Sequence, residues 1–224
     1  MPPRCLGMPQ LSQNHLNQRA RIPYDLTVDE IFNAITSVYK ILNTLNTSLY
    51  DQVQRRLEDL ILGNSLSGII SELLVKSISD HSQTLITNEK VGGHPDLLPI
   101  GFYDSRSVLH GDHGIEVKSS IQDGGWQGHN PEDAWVMIFR YVVDTATEPL
   151  EERQPTRFVQ VLGAQLEKAD WSFSGRKGES RRTPTASITR TGVHKLRSNP
   201  IYQEPQAVVF PERYSYDVLY HRLF

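Results

Sequence analysis

The amino-acid sequence predicts an α+β protein in which an N-terminal helical segment packs on a mixed β-sheet core. Two observations lead to this prediction. Apolar residues recur at helical spacing between residues 27 and 79, and from residue 85 the pattern changes to short β-like segments separated by Gly and Pro. The chain of 224 residues is long enough for one sizeable core, and its charged fraction of 22% is that of an ordinary globular protein.

The first helix is predicted to begin at a capping box, in which Thr27 caps the helix and Glu30 reaches back to it. Apolar side chains then mark three helices in succession. The pattern is interrupted at residues 43–48, and the second helix is predicted to end at residues 63–65. The third helix is predicted over residues 67–79, so the helical segment ends shortly before the first β-like sequence.

Four β-segments are predicted after the helices, over residues 96–102, 114–119, 135–143 and 157–162. The stretch between the second and the third, residues 122–133, is polar and rich in glycine, which is typical of a loop. Another interpretation remains open there. Asn130 could cap a helix that has Pro131 at its first position, in which case residues 135–141 would be helical instead of extended.

The sequence divides into three predicted parts. Residues 1–23 are rich in Pro, Gln and Asn and contain arginines but no acid, which is typical of a flexible basic arm. Residues 24–82 form the helical segment packed on the core. Residues 83–224 form the core itself, because all of the β-like segments fall within them.

Composition excludes several classes of protein. The single cysteine, Cys5, cannot form an internal disulfide or a cysteine-rich zinc module, and it favours a reducing compartment. No stretch approaches the roughly 18 to 20 consecutive apolar residues of a membrane span, and the N-terminus lacks the apolar core of a signal peptide. We therefore expect a cytoplasmic protein with no membrane association.

The most informative pattern joins Asp96 to the triplet Glu116-Val117-Lys118. In a strand, successive side chains point to opposite faces, so Glu116 and Lys118 emerge on one side while Val117 packs on the other. A loop around residues 104–112 lets the second strand lie beside the first. Two carboxylates can then converge on one hard cation, with Lys118 next to it. The competing interpretation is a solvated cross-strand charge pair, with Asp96 capping a turn.

Pro95-Asp96 followed by Glu116-Val117-Lys118 resembles the signature of the PD-(D/E)xK nuclease superfamily, which includes many restriction endonucleases. The resemblance covers roughly the middle of the chain. It implies a restriction-endonuclease-like mixed sheet in which Asp96, Glu116 and the backbone carbonyl of Val117 hold Mg²⁺. It also implies that Lys118 positions or polarises the attacking water.

The resemblance adds Glu72 to the catalytic set, because many members of the superfamily take a further metal ligand from the helix before the first core strand. Glu72 lies on the predicted third helix. An exposed ion pair with Lys76, one turn further on, explains Glu72 equally well. His94, His110 and His113 are expected to lie outside the metal site, because their spacing matches no helical pair of zinc ligands.

A basic segment, residues 175–199, is predicted to contact double-stranded DNA. Cations and hydroxyl side chains are interleaved there with a single acid, Glu179, and such a cluster suits a line of phosphates. Its candidate DNA-binding residues are Arg176, Lys177, Arg181, Arg182, Arg190, Lys195 and Arg197. The alternative is a solvated surface loop.

The loop that follows the acid-x-Lys strand supplies further candidates. Gln127, His129 and Asn130, with the ring of Trp126 beside them, could stack on or hydrogen-bond to the substrate. A turn cluster stabilised by a partly buried tryptophan explains the same residues equally well. Sequence alone does not decide between these two interpretations.

These features together predict a Mg²⁺-dependent endodeoxyribonuclease, and a type II restriction endonuclease in particular. One compact domain without a Walker loop must recognise and cut by itself, and cutting both strands with one site per chain requires a homodimer. Two alternatives stay open. One is a nuclease of the same fold in repair, phage or mobile-element biology, and the other is a catalytically inactive nucleic-acid-binding protein.

Overall fold

The computed structural model describes residues 3–173 and 185–205. It contains helices and a mixed six-stranded sheet, which confirms the predicted α+β class. Arg176, Lys177, Arg181 and Arg182, four of the candidate DNA-binding residues, lie outside the described residues. No helix in the described part of the chain is long and apolar enough to cross a membrane.

The helices of the described residues are α1 (Val28–Val53), α2 (Leu57–Leu60), α3 (Gly63–His81) and α4 (Arg190–Arg197). The predicted capping box is confirmed at the start of α1. The backbone N–H of Thr27 donates to Glu30 Oε2 at 2.7 Å, and the N–H of Glu30 donates to Thr27 Oγ1 at 3.2 Å. These two bonds satisfy donors that have no partner within the helix.

The predicted break at residues 43–48 is wrong, because α1 continues through it. The polar residues there have partners that keep them in the helix. Asn46 is buried and donates to both carboxylate oxygens of Glu58, and Thr44 donates to the carbonyl of Lys40 one turn earlier. Residues 63–65 were predicted to end the second helix, but they form the start of the third. The third helix, α3, therefore begins at Gly63, earlier than predicted.

Nine strands form two sheets in the described residues. They are β1 (Leu85–Thr87), β2 (Leu97–Pro99), β3 (Ile115–Ser120), β4 (Gln127–Gly128), β5 (Ala134–Val142), β6 (Arg157–Leu166), β7 (Trp171–Phe173), β8 (Ala186–Ile188) and β9 (Pro200–Gln203). The large sheet has the order β1-β2-β3-β5-β6-β9, in which β3 and β5 are parallel and the other neighbours are antiparallel. The small sheet has the order β4-β8-β7.

The two faces of the large sheet are covered by different layers. Alternate residues of β5, such as Trp135 and Met137, pack under α1 and α3. The residues between them, such as Val136 and Ile138, pack under the small sheet and α4. Burial on both faces explains why β5 is a continuous apolar run, and it makes the alternative of a helix over residues 135–141 wrong.

The predicted flexible arm is also wrong for the residues that the structure describes. Cys5 is 1% exposed, and Leu16 forms a β-bridge with Tyr202. Asn17 donates its side-chain amide to the carbonyl of Pro200 and its backbone N–H to that of Ile201. The segment therefore packs beside β9 instead of extending into solvent, since its few apolar residues and asparagines find partners across the fold.

A buried charged cluster ties α2 to the loop between β5 and β6, and we call Arg56, Asp59 and Arg153 the Arg56 cluster. Arg56 is fully buried, and it donates to both carboxylate oxygens of Asp59 and to the carbonyls of Asp144 and Gln154. Arg153 donates to Asp59 Oδ1 at 2.8 Å. The guanidinium of Arg56 thus has a partner on each of its nitrogens, as a buried cation requires.

Candidate metal and catalytic centre

The first carboxylate of the site is placed by the pairing of β2 with β3. Leu97 lies opposite Ile115 in antiparallel register, so Asp96, one residue earlier, lies beside β3. Its Oδ2 accepts a hydrogen bond from the backbone N–H of Val117 at 2.8 Å. Gly114 allows this close approach, because a Cβ at that position would lie 2.2 Å from the carbonyl oxygen of Leu97.

The second carboxylate and the amine come from β3 itself. Burial alternates along β3, with Ile115 and Val117 buried on the helical side while Glu116 and Lys118 face the opposite side. Lys118 Nζ donates to Glu116 Oε1 at 2.8 Å, and both side chains are 17% exposed. The predicted common face is therefore confirmed, and the pair is largely enclosed instead of solvated.

Two further residues, His94 and Glu132, lie at the site, and the expectation that His94 lies away from it is wrong. His94 Nδ1 lies 2.9 Å from Glu116 Oε2 and 3.2 Å from Glu132 Oε2, so one imidazole nitrogen is shared between two carboxylates. The only sequence signal for His94 was its closeness to Asp96 along the chain. Glu132 lies far along the chain and gave no such signal. We call Asp96, Glu116, Lys118, His94 and Glu132 the site cluster.

The charges of the site cluster are not balanced. Burial and the nearby Glu116 carboxylate raise the pKa of Asp96 to about 7. Burial also acts to raise the pKa of Glu116, but Lys118 and His94 outweigh it and that pKa is lowered. Burial opposes the charge on Lys118, yet the Glu116 carboxylate outweighs it and raises the pKa of Lys118. The site cluster thus favours the ionised form of Glu116 and disfavours ionisation of Asp96. A bound cation would favour the ionised form of both carboxylates.

A third oxygen faces the same space. In a strand the N–H and C=O of one residue point toward the same neighbouring strand. Because the N–H of Val117 donates to Asp96, the carbonyl of Val117 faces that side as well. Along the described strands, β2 pairs with β3 only at Leu97 opposite Ile115, so no β-ladder covers this part of β3.

These donors fit Mg²⁺. Proteins bind Mg²⁺ through one or two carboxylates, with water and substrate phosphates completing the coordination. Asp96, Glu116 and the Val117 carbonyl are hard oxygen ligands of that kind. Among the described residues, no group of three or more His, Cys, Asp and Glu side chains has the arrangement of a metal site. The site cluster therefore supplies two carboxylates and one carbonyl, which is fewer than the full set of ligands of a metal ion.

The structure does not bring Glu72 into the site cluster. Glu72 is exposed on α3, and that helix packs on the face of β3 opposite the carboxylates, where Ser71 and Ser67 hydrogen-bond to Ser119. The predicted alternative, an ion pair of Glu72 with Lys76, is not the arrangement found, since Lys76 Nζ pairs with Asp80 at 2.7 Å. Metal ligation by Glu72 remains a prediction from the resemblance.

The loop after β3 reaches the site cluster through Glu132. The predicted loop contains β4, on which Gln127 lies, while His129 and Asn130 follow that strand; all three are exposed, so they are accessible to a ligand. Trp126, by contrast, is 2% exposed and packs in the apolar core under the small sheet. Base stacking by Trp126 is therefore excluded in this arrangement, while the turn stabilised by a buried tryptophan is present.

Three of the candidate DNA-binding residues lie on α4, and two of them are engaged within the protein. Lys195 Nζ pairs with the buried Asp170 at 2.6 Å, and Arg197 donates to the backbone carbonyl of Asp123 at 2.7 Å. Arg190 is exposed at the first position of the helix. The charge on Lys195 thus has a structural role, whatever else it contacts.

Comparison with known proteins identifies no family. No protein-family model matches the chain. No curated protein matches it either. The chemistry of the site cluster and its position around β3 are therefore the observations from which a function can be argued.

Proposed function

We propose that the protein is a Mg²⁺-dependent endodeoxyribonuclease that acts as a type II restriction endonuclease. One observation carries this proposal. Asp96, directly before β2, and Glu116, on the antiparallel neighbour β3, face one space, and the ammonium of Lys118 lies 2.8 Å from Glu116. The resemblance to PD-(D/E)xK nucleases implies this arrangement. All of its residues belong to the two motifs that carry the resemblance, Pro95-Asp96 and Glu116-Val117-Lys118.

Each residue has a distinct role in phosphodiester hydrolysis. Asp96, Glu116 and the carbonyl of Val117 would hold Mg²⁺, which would lower the pKa of a water molecule and neutralise charge on the phosphate. Lys118 donates from the same face of β3, so it can position the attacking water or a phosphate oxygen. His94 orients Glu116, because its Nδ1 donates to the oxygen that Lys118 does not contact.

Double-stranded DNA is the substrate that the remaining features support. The basic segment 175–199 supplies cations for the phosphate backbone, and the exposed Gln127, His129 and Asn130 lie in the loop that ends at the site cluster. With one site cluster per chain, cutting both strands requires two copies, and we include a homodimer in the proposal. By resemblance, the products would carry a 5′-phosphate.

The proposal is tested by incubating the purified protein with unmethylated phage and plasmid DNA in Mg²⁺ and in EDTA. Lys118→Ala is the inactive variant, and Lys76→Ala is the matched control because Lys76 is an exposed lysine on the opposite layer. We expect discrete fragments that require Mg²⁺, persist in Lys76→Ala and are absent in Lys118→Ala. Intact DNA on every substrate, from a protein that circular dichroism shows to be folded, would contradict the nuclease function and favour an inactive binding protein.

The pattern of products separates the restriction role from other nuclease roles. Discrete fragments with a common end sequence support a restriction endonuclease, and light scattering during size exclusion should show a dimer. A smear or progressive trimming from ends, still dependent on Mg²⁺ and Lys118, would replace the restriction role with a nuclease that recognises DNA structure or ends.

A further inference from the structure

Two arginine side chains contact one exposed carboxylate shortly after the end of β3. Asp123 Oδ1 lies 3.2 Å from Arg140 Nη1 and 3.1 Å from Arg197 Nη2. Arg140 is only 4% exposed, whereas the side chain of Asp123 is 57% exposed. The buried partner is therefore the cation, and the accessible partner is the anion.

Arg140 lies on the same face of the sheet as the site cluster. In the parallel register of β3 and β5, Glu116 lies opposite Val136, Lys118 opposite Ile138 and Ser120 opposite Arg140. Arg140 is thus one same-face position beyond Lys118, which is about 7 Å along the strand. Phosphates follow one another along each DNA strand at about 3.4 Å of helix axis, so a strand bound at Lys118 passes within reach of Arg140.

An anion at this position compensates the charge of a buried guanidinium. Burial lowers the pKa of Arg140, the Asp123 carboxylate acts in the opposite direction, and Arg197 lowers it further. Two cations close together in a partly enclosed site favour a negative charge between them. Within the described residues, the carboxylate of Asp123 has no hydrogen-bond or ion-pair partner other than these two guanidinium groups.

The neighbouring pair on α4 shows the opposite arrangement. There the buried group is the anion, since the side chain of Asp170 is 3% exposed while that of Lys195 is 37% exposed. A phosphate cannot take the place of Lys195, because it would face a buried carboxylate. A phosphate can take the place of Asp123, because it would face two guanidinium groups that bind phosphate in a fork geometry.

We propose that Arg140 and Arg197 form a binding site for a phosphate of the DNA backbone, which Asp123 occupies in the absence of DNA. The carboxylate is a substitute anion that compensates the charge of the buried arginine and leaves by rotation of its side chain when a phosphate enters. The side chain of Asp123 is 57% exposed, so it can rotate into solvent. This inference depends on the proposed DNA substrate.

The test is the affinity of the protein for a short fluorescein-labelled DNA duplex, measured by anisotropy in EDTA so that no strand is cut, and again in Ca²⁺. Asp123→Asn removes the competing anion, and Asp133→Asn is the matched control because Asp133 is a similarly exposed acid in the same connection. We expect Asp123→Asn to bind roughly 3- to 10-fold more tightly than wild type, with a much smaller change for Asp133→Asn.

The arginines give the complementary measurement. Arg197→Gln should weaken binding roughly 3- to 10-fold and reduce the slope of log affinity against log salt by about one. The gain from Asp123→Asn should then shrink in the double variant with Arg197→Gln. Arg140→Gln is expected to act in the same direction, and the half-exposed Arg197 keeps the test decisive if Arg140→Gln does not fold.

The outcomes separate this inference from the proposed function. If wild type cleaves DNA but Asp123→Asn and Asp133→Asn bind it equally, the phosphate site is wrong and the nuclease stands. If Arg197→Gln leaves both affinity and salt slope unchanged, the inference also fails. If wild type neither binds nor cleaves DNA, the inference and the proposed function fail together.

Discussion

The Arg56 cluster and the site cluster are both partly buried groups of charges, and they differ in whether their charges are satisfied. In the Arg56 cluster, two guanidinium groups share the carboxylate of Asp59, Arg153 also pairs with Glu148, and the backbone carbonyls of residues 144 and 154 accept further hydrogen bonds from Arg56. In the site cluster, Asp96 and Glu116 meet one ammonium, and a third carboxylate, Glu132, lies on the imidazole of His94.

The difference indicates which cluster is built for stability and which for binding. Arginine donors can be shared among carbonyls and carboxylates, so the Arg56 cluster is complete as it stands. Carboxylates only accept hydrogen bonds when ionised, so the site cluster leaves one of its acids poorly compensated and raises the pKa of Asp96. An incompletely compensated acid pair is a natural place for a cation to bind.

The largest expected effect is on stability, from a substitution in the Arg56 cluster. Arg56→Met removes a fully buried cation and leaves the carbonyls of residues 144 and 154 without their donors. We expect the free energy of unfolding to fall by about 3 to 5 kcal/mol. Urea denaturation would measure it, and a loss under 1 kcal/mol, on the scale of an exposed ion pair, would show that the cluster contributes little.

The second prediction compares two acids, one from each cluster. Asp96 has a higher pKa in the folded protein than in the unfolded chain, so the folded state binds more protons and stability falls as pH rises from about 4 to 7. Asp96→Asn abolishes this loss. We expect it to stabilise the metal-free protein by about 2 kcal/mol at pH 8 and by less at pH 5.

Asp59→Asn is the matched change in the Arg56 cluster and should destabilise at both pH values, because it leaves the buried Arg56 without its carboxylate partner. Urea denaturation of both variants in EDTA makes the comparison. If Asp96→Asn destabilises the protein at pH 8 as Asp59→Asn does, Asp96 is an ordinary structural acid and the contrast between the clusters fails.

The third prediction adds the metal. Mg²⁺ that binds only the folded protein should raise the free energy of unfolding by about 1.4 kcal/mol at ten times its dissociation constant. We expect this gain in wild type and not in Asp96→Asn, with NaCl of equal ionic strength as the control. An equal gain in both proteins would place the effect of Mg²⁺ elsewhere on the surface.

The smallest expected effect concerns the third carboxylate. Burial lowers the pKa of His94, but Glu116 and then Glu132 outweigh it, so that pKa is raised. Glu132→Gln removes one of these carboxylates and should lower the pKa of His94, which titration of its imidazole by NMR would show. The stability of the protein should change little, because Glu132 is partly exposed. An unchanged His94 titration would show that the contact with Glu132 does not persist in solution.

Local sequence was sufficient for features that depend on neighbouring residues. Alternation along residues 115–118 predicted that Glu116 and Lys118 share a face, and the capping box predicted the start of α1. The four β-segments were also located correctly, although β6 extends to Leu166 and β2 is shorter than predicted. These features follow from side-chain direction and hydrogen bonds within a few residues of the chain.

Features that depend on distant partners could not be predicted this way. The polar residues 43–48 suggested a helix break, but Asn46 has its partner, Glu58, beyond the end of the helix. Residues 3–23 read as a mobile arm because their partners lie beside β9, at the far end of the sequence. In both cases the polar composition predicted side chains exposed to solvent, whereas in the folded chain these side chains hydrogen-bond to other parts of the protein.

The α+β class and the common face of Glu116 and Lys118 could be predicted from residue order and alternation alone, and the same pattern selected Asp96 and Glu116 as candidate metal ligands. Only the tertiary structure brought Glu132 to His94 and Asp123 to its two arginines. The physical reason is that pairing energies between charges depend on distance and burial in the folded state, and residues far apart in sequence carry no local sign of either.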